Sequence, residues 1–134
     1  MQHDQHAAEL ANANLGTLAI IAHDAEGTTL AVRERDGWTV LSHQPAATPT
    51  TMSEDDLTER GATALPVGAP ANAEMLDAAT DRAVFATTDG RVVYQKAFSS
   101  WWRLTSTWIG ECSAVPVADI LRDDVHLRWE PADR

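Results

Sequence analysis

Apolar and polar residues alternate along two stretches of this chain, and the alternation lapses between them. Leu18 to Ala22 is an unbroken apolar run, as in a short strand covered on both faces. Asp24-Ala25-Glu26-Gly27 then reads as a turn. Between Thr28 and Glu34 the period is two: Leu30 and Val32 fall on one face, Thr29, Ala31 and Arg33 on the other. Arg35-Asp36-Gly37 forms a second turn, and Trp38 to Leu41 opens a third strand. Three short strands joined by tight turns predict an antiparallel meander.

Residues 43 to 51 carry two prolines and several threonines without periodicity, and read as a loop. A short helix follows. Ser53 or Thr51 can cap it, Glu54, Asp55 and Asp56 sit in its first turn, Arg60 in its last, and Gly61 ends it. Residues 4 to 13 and 72 to 80 suggest further short helices. From residue 82 the first pattern returns. An apolar strand (Ala83 to Ala86) leads to a turn at Asp89-Gly90, then to an alternating strand (Arg91 to Ala97). A turn at Ser99-Ser100 and a tryptophan-rich strand follow. The tail predicts a helix near Val117 to Arg122 and an edge strand from Val125 to Trp129.

Shifting the chain by 63 positions superposes Glu26 on Asp89, Gly27 on Gly90, Arg33 on Lys96, Trp38 on Trp101, Leu41 on Leu104 and Ser42 on Thr105. The expected fold is α+β and β-rich. It has two related antiparallel three-stranded meanders, with short helices between and after them. The expected organisation is one domain, 1–134, with repeat halves at about 15–42 and 82–108.

The acid-Gly, alternating strand, turn, Trp pattern is carried by Gly16-Thr17, Glu26-Gly27, Arg33 and Asp36-Gly37-Trp38, then by Asp89-Gly90, Lys96 and Trp101-Trp102. It resembles small proteins of high-GC actinobacteria and their phages that carry Asp-Gly…Trp β-meander repeats. The resemblance covers about half the chain. It implies an accessory or host-interaction protein, and no reaction.

Charge narrows the partners. Twenty acids against ten bases give a net charge of −10, which disfavours direct binding to nucleic acid or anionic membranes. With a single cysteine, Cys112, no intrachain disulfide forms. The first residues lack the charge and apolar run of a secretory signal, and Leu18 to Ala22 is too short to span a bilayer. A cytoplasmic protein is expected, in the host cytoplasm or virion if phage-encoded.

Candidate chemistry is sparse. His3 and His6 share a helical face, but two metal ligands are too few without Asp4, His23 or His43. Asp24, Glu26 and Asp89 suit turns better than a calcium loop. Cys112 with His126 or His23 lacks the context of an activated thiolate. No metal, cofactor or catalytic set is assigned. An enzyme or small-ligand pocket between the meanders would need at least two of His23, Asp24, His43, Cys112 and His126 to converge.

The tryptophans say most. Alternation puts Trp102, Leu104, Ser106 and Trp108 on one face, and Trp101, Arg103, Thr105 and Thr107 on the other. The first face is the more apolar and is expected in the core. Trp101, Arg103 and Thr105 are then the expected surface for a protein partner or a second copy. A β-bulge near Ser99-Ser100 would reconcile this face with the 63-residue repeat. The alternative covers Trp101 with helices or with the other meander. The expected function is a non-enzymatic acidic protein-binding module. Alternatives are a virion structural or decoration protein and an acidic inhibitor of a nucleic-acid enzyme.

Overall fold

A computed structural model describes residues 10, 13–24, 27–35, 37–41, 50–105 and 114–131. The strands are β1 (Leu18–Asp24), β2 (Gly27–Glu34), β3 (Gly37–Leu41), β4 (Thr51–Met52), β5 (Thr63–Ala64), β6 (Val84–Thr87), β7 (Val93–Ala97), β8 (Ser100–Leu104) and β9 (Val125–Trp129). The helices are α1 (Glu54–Glu59), α2 (Ala73–Ala78) and α3 (Val117–Ile120). One antiparallel sheet has the order β4-β3-β2-β1-β5, the other β8-β7-β6-β9.

Local chemistry sets the helix ends. The Ser53 hydroxyl accepts the Asp56 N–H at 3.1 Å, and the Asp56 carboxylate receives the Ser53 N–H, a reciprocal cap for α1. Asn72 caps α2 by accepting the Met75 N–H at 2.8 Å. The tail strand lies where the alternation predicts it, at a sheet edge.

The elements of the first half recur in the second. In the β2–β3 hairpin Leu30 pairs with Leu41, Val32 with Thr39 and Arg33 with Trp38. In the β7–β8 hairpin Val93 pairs with Leu104, Gln95 with Trp102 and Lys96 with Trp101, each 63 positions on. For the leading strands the offset is 66. Leu18–Val32, Ala19–Ala31 and Ile20–Leu30 correspond to Val84–Gln95, Phe85–Tyr94 and Ala86–Val93. The β6–β7 turn is the shorter one, and only β1 carries the bulge between Ile20 and Ala22. The closing strands match at 63 again: Ala64 lies opposite Ala19, and Leu127 opposite Phe85.

The entry to each meander also repeats. Gly16 and Arg82 both have positive φ, 88° and 79°. Their N–H groups donate to the carbonyls of Arg33 and Lys96, which donate back to the carbonyls of Thr17 and Ala83. At the far edge Met52 lies opposite Trp38, and Val115, 63 positions later, donates its N–H to the Trp101 carbonyl.

The two copies pack face to face. Leu18, Leu30, Val32 and Leu41 from one sheet meet Val84, Ala86, Val93 and Leu104 from the other. The outer faces are covered too. Leu10 and Leu57 pack with Ala19, Ile21, Ala31 and Trp38 on the first sheet. Leu76 of α2 and Ile120 of α3 pack with Phe85, Tyr94, Trp101 and Val125 on the second. Fully burying each such Leu, Ile or Phe contributes about 1.5–3 kcal/mol.

This arrangement corrects the expected assignment of the tryptophans. Trp101 is buried, 4% exposed, beneath α2 and α3, with its ring edge-on to Phe85 at 5.6 Å. Trp102 is half-buried on the inward side and donates its Nε1–H to the Ala97 carbonyl at 3.0 Å. Trp101 and Arg103 share one face, as the alternation predicts, but that face carries helices, as in the alternative given above, and is not an open surface. A sheet between another sheet and helices buries apolar residues on both faces. The β7–β8 register is uninterrupted, so no bulge at Ser99-Ser100 is needed. Ser106, Thr107, Trp108 and Cys112 lie outside the described residues, as do His3, Asp4, His6, Glu26 and His43.

At one seam a buried guanidinium joins the sheets. Arg128 is 4% exposed. It donates from Nε to the Pro66 carbonyl at 2.9 Å, from Nη1 to the Thr87 carbonyl at 2.9 Å and from Nη2 to the Leu65 carbonyl at 3.5 Å. Leu65 and Pro66 leave the first sheet, and Thr87 ends β6 of the second. Burial lowers the Arg128 pKa, but an arginine holds its proton in such a place.

Candidate binding cleft

Between the sheets, where β2 ends and β7 begins, lies a cleft of about 630 Å³. Its apolar wall comes from both copies: Val32 and Leu41 from the first, Val93 and Leu104 from the second, with Leu15 alongside. Three arginines, Arg33, Arg35 and Arg91, line it together with Glu34, Asp89, Gly16, Gly90 and Thr105. The chain has only ten basic residues, and three of them meet here, with Glu34 and Asp89 offsetting two of the three charges. The volume lies in the ordinary range for ligand and side-chain pockets.

Each arginine is placed by a different device. Arg33 stands on β2 and reaches Glu54 of α1, Nη2 to Oε1 at 3.7 Å. Arg35 sits in the β2–β3 turn, exposed, and makes no ion pair with the described residues. Arg91 is set by the β6–β7 turn. There the Asp89 carboxylate accepts the Thr87 hydroxyl at 2.7 Å and the Arg91 N–H at 3.1 Å. These bonds, the Thr87 one foremost, hold the Asp89 carboxyl below its usual pKa and keep it ionised. Arg91 Nε then lies 3.7 Å from Asp89 Oδ2.

Backbone contact closes the cleft at its base. A Cβ on Gly16 would fall 2.0 Å from the Asp89 carbonyl oxygen, and one on Gly90 would fall 2.1 Å from that of Gly16. Both residues have positive φ, 88° and 70°. Only glycine serves at this crossing. On the far side of Arg33 and Arg35 a shallower cavity of about 410 Å³ continues to Ser53, Glu54 and Asp55.

The predicted surface does not assemble. Trp101 is under the helices, Arg103 is exposed on that outer face, and Thr105 lines the cleft. Of the residues named for a catalytic pocket, His43 and Cys112 lie outside the described residues, and His126 does not line the cleft. His126 lies elsewhere, its ring nitrogens 3.1 Å from the Gly68 carbonyl oxygen and 3.7 Å from Asp124 Oδ1. The side chains of His23 and Asp24 are outside the described residues. No three or more of His, Cys, Asp and Glu are placed to hold a metal ion among the described residues. Nor is any helix among them long and apolar enough to cross a membrane.

What the cleft can do follows from its lining. An apolar side chain can leave water against Val32, Leu41, Val93 and Leu104, while carboxylates beside it meet guanidinium groups. Arginine suits that task because its planar fork matches a carboxylate. The sequence held one signal for it: no basic residue precedes Arg33. Comparison with family models, with curated proteins and with solved structures finds no match to this chain.

Proposed function

We propose that this protein is a non-enzymatic protein-binding module whose recognition site is the arginine-lined cleft between its two sheets. The partner segment it suits is an apolar side chain flanked by carboxylates. One observation carries the reading: Arg35 and Arg91 stand at an apolar wall built from both copies, in a chain of net charge −10. The acidic remainder repels acidic partners elsewhere, so orientation is favoured at the cleft.

A displayed library of random peptides tests this directly. Selection on the wild-type chain is expected to enrich an aromatic or branched apolar residue next to Asp or Glu. The Arg35→Glu/Arg91→Glu double variant is expected to lose that enrichment. Selected peptides without acids, or the same peptides from both proteins, would defeat the proposal.

A further inference from the structure

We infer that a second copy of this chain occupies the cleft, docked head to tail through the tip of its β7–β8 hairpin. The inference rests on the reading of the cleft as a binding site. Among the described residues Phe98 is the most exposed large apolar side chain, at 87%. It forms with Ser99 the two-residue loop between the paired Ala97 and Ser100.

Both loop residues have positive φ, 54° and 63°. That geometry favours Asn-Gly, and each side chain held there carries a cost. The surroundings sustain it. The Asp81 carboxylate accepts the Ser99 N–H at 3.2 Å, and the Trp102 indole donates to the Ala97 carbonyl at 3.0 Å. A strained turn thus holds an aromatic ring out in water, an arrangement that points to use rather than to stability.

The tip has the chemistry the cleft selects. A ring projects with the Asp81 carboxylate beside it. The nearby Lys96 ammonium is turned back onto the carbonyls of Ala79 and Asp77. The counterpart of Phe98 in the first copy, 63 positions earlier, is Arg35 of the cleft itself. The molecule cannot fill its own cleft this way. Val93 lines the cleft and Phe98 is five residues further along an extended strand, roughly 16 Å away. The contact therefore joins two molecules through unlike surfaces. It leaves a free tip and a free cleft at the ends, so association continues past a dimer.

Sedimentation velocity on the full chain across a concentration series is the test. Wild type is expected to show species growing beyond dimer. Phe98→Ala and Arg35→Glu/Arg91→Glu are each expected to weaken self-association at least tenfold. Mixed one to one, these two variants are expected to form a heterodimer and stop, because one supplies only a cleft and the other only a tip. Phe98→Gly removes the ring while relieving the backbone, so its loss of assembly cannot be laid to misfolding. A wild type that stays monomeric into the millimolar range, or a Phe98→Ala chain that assembles like wild type, overturns the inference. So does a mixture that forms no heterodimer. If the peptide selection still depends on Arg35 and Arg91 in that case, the cleft stands as a binding site and only this occupant falls.

Discussion

Trp38 and Trp101 hold the same position in two successive copies of one fold, each opposite a cationic strand neighbour, Arg33 or Lys96. Both rings face away from the opposing sheet, into the layer between sheet and helices. They differ in one respect. Trp38 Nε1 is buried and finds no hydrogen-bond partner among the described residues. Trp101 lies with the Lys96 ammonium 5.9 Å from its ring centroid.

Truncating Trp101 should therefore act on folding. Trp101→Ala is expected to cost about 3–5 kcal/mol by urea denaturation. Trp38→Phe should cost less than about 1.5 kcal/mol, because the lost contacts are offset by removal of an unpaired indole N–H. Equal losses for the two would contradict the packing described.

Arg128→Ala is expected to destabilise by about 3–5 kcal/mol, since the part-buried bonds to the Pro66 and Thr87 carbonyls and the buried one to Leu65 lose their shared donor and the buried side chain leaves a void. Arg128→Lys should recover little, because one ammonium cannot span three directions in that plane. Denaturant midpoints of the two variants decide the matter.

Tyr94 gives a pH signature. Burial first, then its hydrogen bond to Asp123 at 2.7 Å, push its pKa from 10.0 to about 12. Between these values the unfolded chain has released the proton and the folded one has kept it, so ΔG of unfolding falls as pH rises. The stabilisation is whole below pH 10 and is lost towards pH 12, a change on the order of 2 kcal/mol. Tyr94→Phe should flatten that part of the stability–pH curve. An unchanged slope in the variant would exclude the mechanism.

The Phe98-Ser99 turn should improve when given the residues its backbone favours. Phe98→Asn/Ser99→Gly is expected to raise stability by about 1–2 kcal/mol, read as a higher Tm in calorimetry. A lower Tm would show that the Phe98 ring contributes more than its conformation costs.

Strand patterns and turn glycines made the meanders legible, and identity at Trp38/Trp101 and Leu41/Leu104 exposed the repeat. The full extent of the repeat was hidden, because the offset changes from 66 to 63 inside the first turn and because Leu65 corresponds to Arg128. Alternation ranked the faces of β8 by polarity. It could not tell that α2 and α3, both remote in sequence, roof the face carrying Trp101. The cleft was harder still. Arg35 and Arg91 share no motif, and only the apposition of the β2–β3 turn with the β6–β7 turn brings them to one cleft.

Because both copies lie on one polypeptide, dilution cannot part them. The segment from Leu65 to Asn72 joins β5 to α2 and holds the local concentration of each half near the other at about the millimolar level. Tethering also frees the halves from matching each other. In a dimer of identical chains every substitution at a shared axis arrives twice, and an arginine at the Leu65/Arg128 position would face its own image. Fusion lets one side keep a leucine and the other acquire a cation, so asymmetry becomes available to a symmetric architecture.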